Sequence, residues 1–172
     1  MKILVFSDSH GAGHYIRSAI QSHHGQADAL VFLGDGATEA HAVFREFPHI
    51  PSYILRGNCD SALRLSAEEI DASEEELLHL GGLRFLALHG HTVHVKSGYG
   101  WAVLSAAQKQ ADAVLFGHTH IPENRTVENP ARPESRILLF NPGSIGMSRE
   151  HSYGVIHIVD GKISAGHGHA AI

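Results

Sequence analysis

Cysteine, positive charge, aromatic side chains and long apolar runs are all scarce in this chain. One Cys among 172 residues excludes an internal disulfide framework and fits a reducing compartment. Lys and Arg number 13 against 18 Asp and Glu, a formal charge of −5, which argues against broad nucleic-acid or membrane-surface binding. No apolar run approaches the ~18 residues of a membrane span. The opening run Lys2–Phe6 stops at Ser7-Asp8, short of the apolar stretch and cleavage site of a signal peptide. A cytoplasmic protein is therefore expected. The length predicts one domain over residues 1–172. A hydrophobic share of 43% excludes wholesale disorder. What the chain has in excess is histidine, 16 residues, more than Lys and Arg together. Histidine is the commonest metal ligand, so a metal site is the first expectation.

Short apolar runs recur at Ile3–Phe6, Ala29–Leu33, Tyr53–Leu55, Leu83–Leu88, Ala113–Phe116, Ile137–Phe140 and Val155–Val159. Their length and Val, Ile, Leu and Phe content predict strands buried on both faces. Helical spacing is legible over His14–His24, Thr38–Phe47 and Tyr99–Gln110, the last with Trp101, Leu104 and Ala107 on one stripe. Gly81-Gly82 and Asp160-Gly161 predict hairpin turns, the second joining Val155–Val159 to Lys162–Ser164. Strand–helix alternation followed by hairpins implies an α/β sandwich with mixed parallel and antiparallel strands. Glu128–Arg136 reads as a surface loop, and the six acidic residues of Glu68–Glu76 as a solvated face. Trp101 and the Phe residues are expected in the core. His14, His23, His24, His41, His49 and His79 are expected at the surface, and the tail carrying His167 and His169 is expected to fray.

Polar chemistry follows each early strand. The runs end in Asp8-Ser9-His10, Gly34-Asp35-Gly36, Gly57-Asn58-Cys59-Asp60, His89-Gly90-His91 and Gly117-His118-Thr119-His120. In α/β sheets ligands bind beyond the carboxyl ends of strands, and glycine lets the backbone turn and approach a bound group closely. Singly, each motif is explained by turn chemistry. Side by side, Asp8, His10, Asp35, Asn58, His89, His118 and His120 form a convergent donor set. It exceeds the needs of one four-coordinate ion and suffices for two if a carboxylate bridges. With no thiolate but Cys59, the set suits Mn²⁺, Fe²⁺, Ni²⁺ or Zn²⁺. Two such ions about 4 Å apart can share a hydroxide and clamp a phosphate.

These ordered motifs resemble those of the calcineurin-like metallophosphoesterases. Asn141-Pro142-Gly143-Ser144, which reads as a rim turn, is similar to a segment of that superfamily's small bacterial and archaeal phosphodiesterases. The resemblance runs from Lys2 to about Lys162. It implies a four-layer αββα sandwich and a dinuclear site. Asp8, His10 and His120 would hold one ion, Asn58, His89 and His118 the other, and Asp35 would bridge. Manganese is the first choice of metal. Two divalent ions against Asp8 and Asp35 leave a formal surplus of about +2, which would attract an anionic substrate. The implied activity is cleavage of a small organic phosphodiester by a metal-bridging hydroxide; no membrane partner is expected, and the small phosphodiesterases often form homo-oligomers, which leaves the oligomeric state open. The alternative is a non-catalytic scaffold, as in the retromer subunit of the same fold; the full donor set favours the enzyme. Asn58, Cys59, Asp60 and His91 are the candidate catalytic residues. Many superfamily members have His where Cys59 stands, to help protonate the leaving group. Cys59 therefore implies a preference for good leaving groups. Asp60 is also read as orienting its loop, and His91 as touching substrate or supporting the ligands. Arg56 is read as half of a surface ion pair, and Gly11-Ala12-Gly13 as a turn leading into a helix.

Overall fold

A computed structural model describes residues 1–24 and 26–171; the domain expected over residues 1–172 ends on a residue outside that description. The chain runs β1 (Lys2–Phe6), α1 (Gly13–Ser22), β2 (Ala29–Phe32), α2 (Ala37–Phe44), β3 (Ser52–Ile54), α3 (Ala62–Ala67), β4 (Glu75–Leu80) and β5 (Leu83–Leu88). It continues through α4 (Gly100–Gln108), β6 (Ala113–Leu115), β7 (Glu123–Asn129), β8 (Arg132–Asn141), β9 (Ser152–Val159) and β10 (Lys162–His169).

The strands form two five-stranded sheets, ordered β10-β9-β1-β2-β3 and β4-β5-β6-β8-β7. Strands β1, β2 and β3 are parallel, with β9 antiparallel to β1. In the second sheet β5, β6 and β8 are parallel, with β4 and β7 as antiparallel edges. Strand alternation sends successive side chains to opposite faces. Ile3, Val5 and Val31 thus share one buried cluster with Phe85, Ala87, Leu115 and Phe140 of the other sheet. Leu4, Phe6, Leu30 and Phe32 face outward and pack on Ile16 and Ile20 of α1 and Val43 and Phe44 of α2. Leu86, Leu88, Val114 and Leu139 pack likewise on Ala102 and Ala106 of α4. The layers are therefore helix, sheet, sheet, helix, and the central strands are apolar throughout because both faces are covered.

The structure corrects four expectations. Glu128–Arg136 is no loop but belongs to the β7–β8 hairpin, with an irregularity between Glu128 and Asn129. Asn129 Oδ1 accepts from the N–H groups of Ala131 and Arg132 at 2.9 and 3.2 Å, and this side-chain turn carries the chain past Pro130. Pro133 is tolerated because it falls in the irregular stretch between the Asn129–Arg132 and Glu128–Arg136 pairs. The tail does not fray: β10 pairs with β9 along its whole length, and His167 stacks on Phe140 with centroids 4.9 Å apart. Trp101 is 67% exposed, because the small Ala102 and Ala106 take the inward positions of α4 and let the helix approach the sheet. His23 is half-buried, its Nε2 3.0 Å from the Tyr153 hydroxyl, and His41 is half-buried too; His14, His24, His49 and His79 are exposed. Helix α3 has no counterpart in the sequence reading. Its Ser61 cap accepts from Arg64 N, and its Leu65 packs on Ala37 and Ile70.

Candidate metal centre

The loops after β1, β2, β3, β5 and β6 meet at one end of the sandwich. Asp8 N–H donates to the Gly34 carbonyl at 3.0 Å, Ser9 N–H to the Asp35 carbonyl at 3.0 Å, and Gly117 N–H to the His89 carbonyl at 2.9 Å. Backbone conformation there is costly. Asp8, His10, Asp35, His118 and His120 have φ of 55, 43, 59, 65 and 61°, a left-handed region that costs an L residue roughly 1–2 kcal/mol. Such outliers persist where surroundings over-determine them, and they concentrate at functional sites. The packing behind them is tight. A Cβ at Gly117 would meet Ser7 Oγ at 1.9 Å and Asp8 Oδ2 at 2.8 Å, so only glycine fits beside His118.

Two triads result. Asp8, His10 and His120 offer ligand atoms within 4.8 Å of one another, as do Asp35, His89 and His118. His120 Nε2 stands 3.2 Å from Asp8 Oδ1, and His89 Nε2 stands 3.4 Å from Asp35 Oδ2. The triads adjoin: His10 Nε2 is 3.9 Å from Asp35 Oδ2, and His89 Nε2 is 3.9 Å from Asp8 Oδ1. Asp8 and His89 are fully buried, yet among the described residues Asp8 Oδ1 and His89 Nε2 have no hydrogen-bond partner. Buried polar atoms are almost always paired. An orphaned carboxylate oxygen facing imidazole nitrogens is what a divalent cation satisfies, so the residues fit a metal centre.

Their other atoms are held for the task. His89 Nδ1 lies 2.8 Å from the Leu33 carbonyl; donating its proton there leaves Nε2 as the ligating atom. Asp8 Oδ2 accepts from His118 N–H at 3.0 Å, and Asp35 Oδ1 accepts from Cys59 N–H at 2.8 Å. Burial alone would raise the Asp35 carboxyl, but the His89 ring and the Cys59 N–H outweigh it and hold Asp35 well below the usual carboxylate range. Burial would likewise lower His89, and the carboxylates of Asp35 and Asp8 instead raise it. The Asp8 carboxylate beside it raises His120. His118 moves the other way, pushed to about 4 by burial and the neighbouring His89, so it is a neutral, ligation-ready imidazole at neutral pH.

The remaining sequence candidates adjoin these triads. Asn58 is exposed and its amide donates to Cys59 Sγ at 3.3 Å. The thiol of Cys59 is raised to about 11 by its hydrogen bond to Asp35, by burial and by surrounding carboxylates. Asp60 spends both carboxylate oxygens on backbone: Oδ2 accepts from Asp35 and Gly57 N–H at 2.8 Å each, Oδ1 from Gly36 and Ala37 at 2.9 Å each. The His91 ring lies 5.5 Å from His89 and 6.2 Å from His118. Its Nε2 is 3.9 Å from Glu74 Oε1, and Glu74 also pairs with Arg56 Nη2 at 2.7 Å.

Three supporting residues were not assigned this work from sequence. Ser144 Oγ donates to the Asp8 carbonyl at 2.8 Å. Asn141 Nδ2 donates to the Gly117 carbonyl and to Thr119 Oγ1 at 2.9 and 3.0 Å. These two buttress the ligand loops from behind, and the Asn-Pro-Gly-Ser motif was their only sequence signal. Glu39 binds Ser9 Oγ at 2.9 Å and the Gly11 N–H, with no sequence signal. Beside the centre opens a cavity of about 200 Å³ lined by His10, Asp35, Cys59, Asp60, Ser61 and Arg64, among others.

Residues 1–162 match the family model described as the calcineurin-like phosphoesterase superfamily domain. The chain is 30% identical over 149 residues to the probable metallophosphoesterase YsnB of Bacillus subtilis, covering 87% of this chain and 78% of that protein. Its fold matches a predicted phosphoesterase of Streptococcus pneumoniae with a TM-score of 0.75 at 23% identity, over 98% of this chain and 88% of that one. It also matches an archaeal phosphodiesterase with a TM-score of 0.62 at 24% identity, over 97% and 99% of the two chains.

Proposed function

The chain belongs to the calcineurin-like phosphoesterase superfamily, and from that premise we propose that this metal-dependent phosphoesterase cleaves a small organic phosphodiester at a two-ion centre. The observation that carries the reading is the pair of orphaned buried atoms, Asp8 Oδ1 and His89 Nε2, facing one another across two adjoining triads. Asp8, His10 and His120 would hold one ion. His89, His118 and Asn58 would hold the other, with Asp35 between, since its Oδ2 is near both His10 and His89. Manganese is the first choice among ions that suit nitrogen and oxygen donors. When bound, divalent ions supply Lewis-acid polarisation of phosphoryl oxygen and lower the pKa of a water from roughly 15.7 towards roughly 7.

The chain's own residues do the rest. Asp60 is a positioning residue: it fastens the Asp35 loop to the Gly57 loop through four backbone N–H groups. His91, whose ring lies 5.5 Å from His89 and 6.2 Å from His118, would contact the phosphoryl group. Cys59 keeps its proton at neutral pH and is a weak donor to a departing alkoxide. Substrates with good leaving groups, such as aryl phosphodiesters, are therefore preferred. Cys59→His should raise the rate on poor leaving groups relative to good ones; an unchanged ratio refutes this role.

The direct test is hydrolysis of bis(p-nitrophenyl) phosphate with and without Mn²⁺, repeated with Asp35→Asn. The expected loss is at least about 10³-fold, or about 4 kcal/mol of transition-state stabilisation. Activity that survives both that substitution and a chelator overturns the proposal.

A further inference from the structure

A third set of donors lies at the open side of the centre. Ligand atoms of His10, Asp35 and Cys59 fall within 4.8 Å of one another, and all three residues line the cavity of about 200 Å³. The sulfur is not loosely placed. Cys59 N–H donates to Asp35 Oδ1 at 2.8 Å, which ties the thiol to the carboxylate through its own backbone. Asn58 Nδ2 donates to Sγ at 3.3 Å and supports electron density on sulfur. His10 is committed to neither carboxylate, standing 4.0 Å from Asp8 Oδ1 and 3.9 Å from Asp35 Oδ2. Among the described residues Asp8 Oδ1, fully buried and unpartnered, lies 3.2 Å from His120 Nε2 and 4.0 Å from His10 Nε2, so His120 can serve the Asp8 side without His10.

We propose that Cys59, His10 and Asp35 form a third cation position, selective for thiophilic divalent ions such as Cd²⁺ or Zn²⁺, that cannot fill together with both triads. Thiolate sulfur selects soft ions, whereas carboxylate and imidazole alone suit Mn²⁺. On binding, the thiol releases its proton to solvent and a sulfur–metal bond forms; no electron is transferred. The position borrows His10 from the Asp8–His10–His120 triad and Asp35 from the Asp35–His89–His118 triad. A soft ion there takes one donor from each, so it displaces activating ions instead of joining them. That exclusion rests on the proposed two-ion centre; the sulfur ligation does not.

The test is spectroscopic and needs no turnover, so its failure is separable from failure of the phosphodiesterase reading. Metal-free protein and Cys59→Ser are titrated with Co²⁺ and with Cd²⁺. The wild type should show ultraviolet sulfur-to-metal charge-transfer absorption with both ions, at shorter wavelength for Cd²⁺ than for Co²⁺. Cys59→Ser should lose it while keeping the visible Co²⁺ bands of the nitrogen and oxygen donors, which shows that the fold and triads are intact. Preloading wild type with Mn²⁺ should suppress the Cd²⁺ signal until Mn²⁺ is released. No charge-transfer absorption in the wild type, or equal absorption in the two proteins, overturns the ligation. Full absorption with Mn²⁺ still bound overturns the exclusion.

Discussion

Replacing Asp60 by Asn separates a structural carboxylate from a chemical one. Each Asp60 oxygen accepts two backbone N–H groups, from Asp35 and Gly57 on one side and from Gly36 and Ala37 on the other. Whichever way an amide is oriented, its NH₂ faces two of those donors, and two hydrogen bonds are lost. Bonds to a charged acceptor are worth roughly 1.5–3 kcal/mol each. Asp60 is half-buried, so water recovers part of the loss and the lower end applies. The expected destabilisation is about 3 kcal/mol, against total stabilities of roughly 5–15 kcal/mol. For a chain of this size that is a fall in Tm of about 6–12 °C. The assay is calorimetry of metal-free protein, wild type against Asp60→Asn, at neutral pH. Metal affinity should fall as well, because Asp35 is then less firmly placed. A variant that melts within about 2 °C of wild type yet loses turnover would refute the positioning role and make Asp60 a participant in the chemistry.

Metal binding should depend on pH in a direction set by the imidazoles. His89 and His120 are raised above 6.5 and must lose their protons to ligate. Affinity should fall as pH drops through the range in which these rings take up protons, whereas His118, at about 4, contributes nothing near neutrality; a flat calorimetric titration series from about pH 8 to 5 contradicts this. The same groups make the metal-free protein respond oppositely. The raised His89 stabilises the fold below 6.5 and its contribution is lost as pH rises through its folded value. The depressed Asp35 stabilises above 3.8 and loses its contribution only in strong acid. Metal-induced gain in Tm should therefore grow from pH 5.5 to 8.5. Trp101→Ser should shift stability by less than about 0.5 kcal/mol, since the ring is 67% exposed; a loss above about 2 kcal/mol in urea denaturation would show that the ring is covered. Gly117→Ala should displace Asp8 and Ser7, where a Cβ would fall 1.9 Å from Ser7 Oγ, and abolish metal binding read by equilibrium dialysis.

The strands were legible because both faces of the central ones are covered, which leaves continuous apolar runs such as Ile3–Phe6 and Ala113–Phe116. Elsewhere local pattern and long-range contact disagree. Trp101 and Leu104 sit at helical spacing, yet Ala102 and Ala106 face the sheet, because small residues let α4 pack closely. The tail is rich in glycine and alanine, but β9 supplies a backbone partner to every residue from Lys162 to His169. Glu39 carries no motif, and its role depends on folding next to Gly11 and Ser9.

By itself the sequence determined the donor types and their order at successive strand ends, since an apolar run closed by a glycine and an Asp or His is a local feature. Only the tertiary structure decided which donors share a triad, which carboxylate is spent on backbone, and which sulfur lies within reach of His10 and Asp35. Those outcomes rest on contacts such as His118 N–H to Asp8, 110 residues apart, and Ser144 Oγ to the Asp8 carbonyl, 136 residues apart. No local pattern encodes a distance of that kind; the packing of two sheets against each other does.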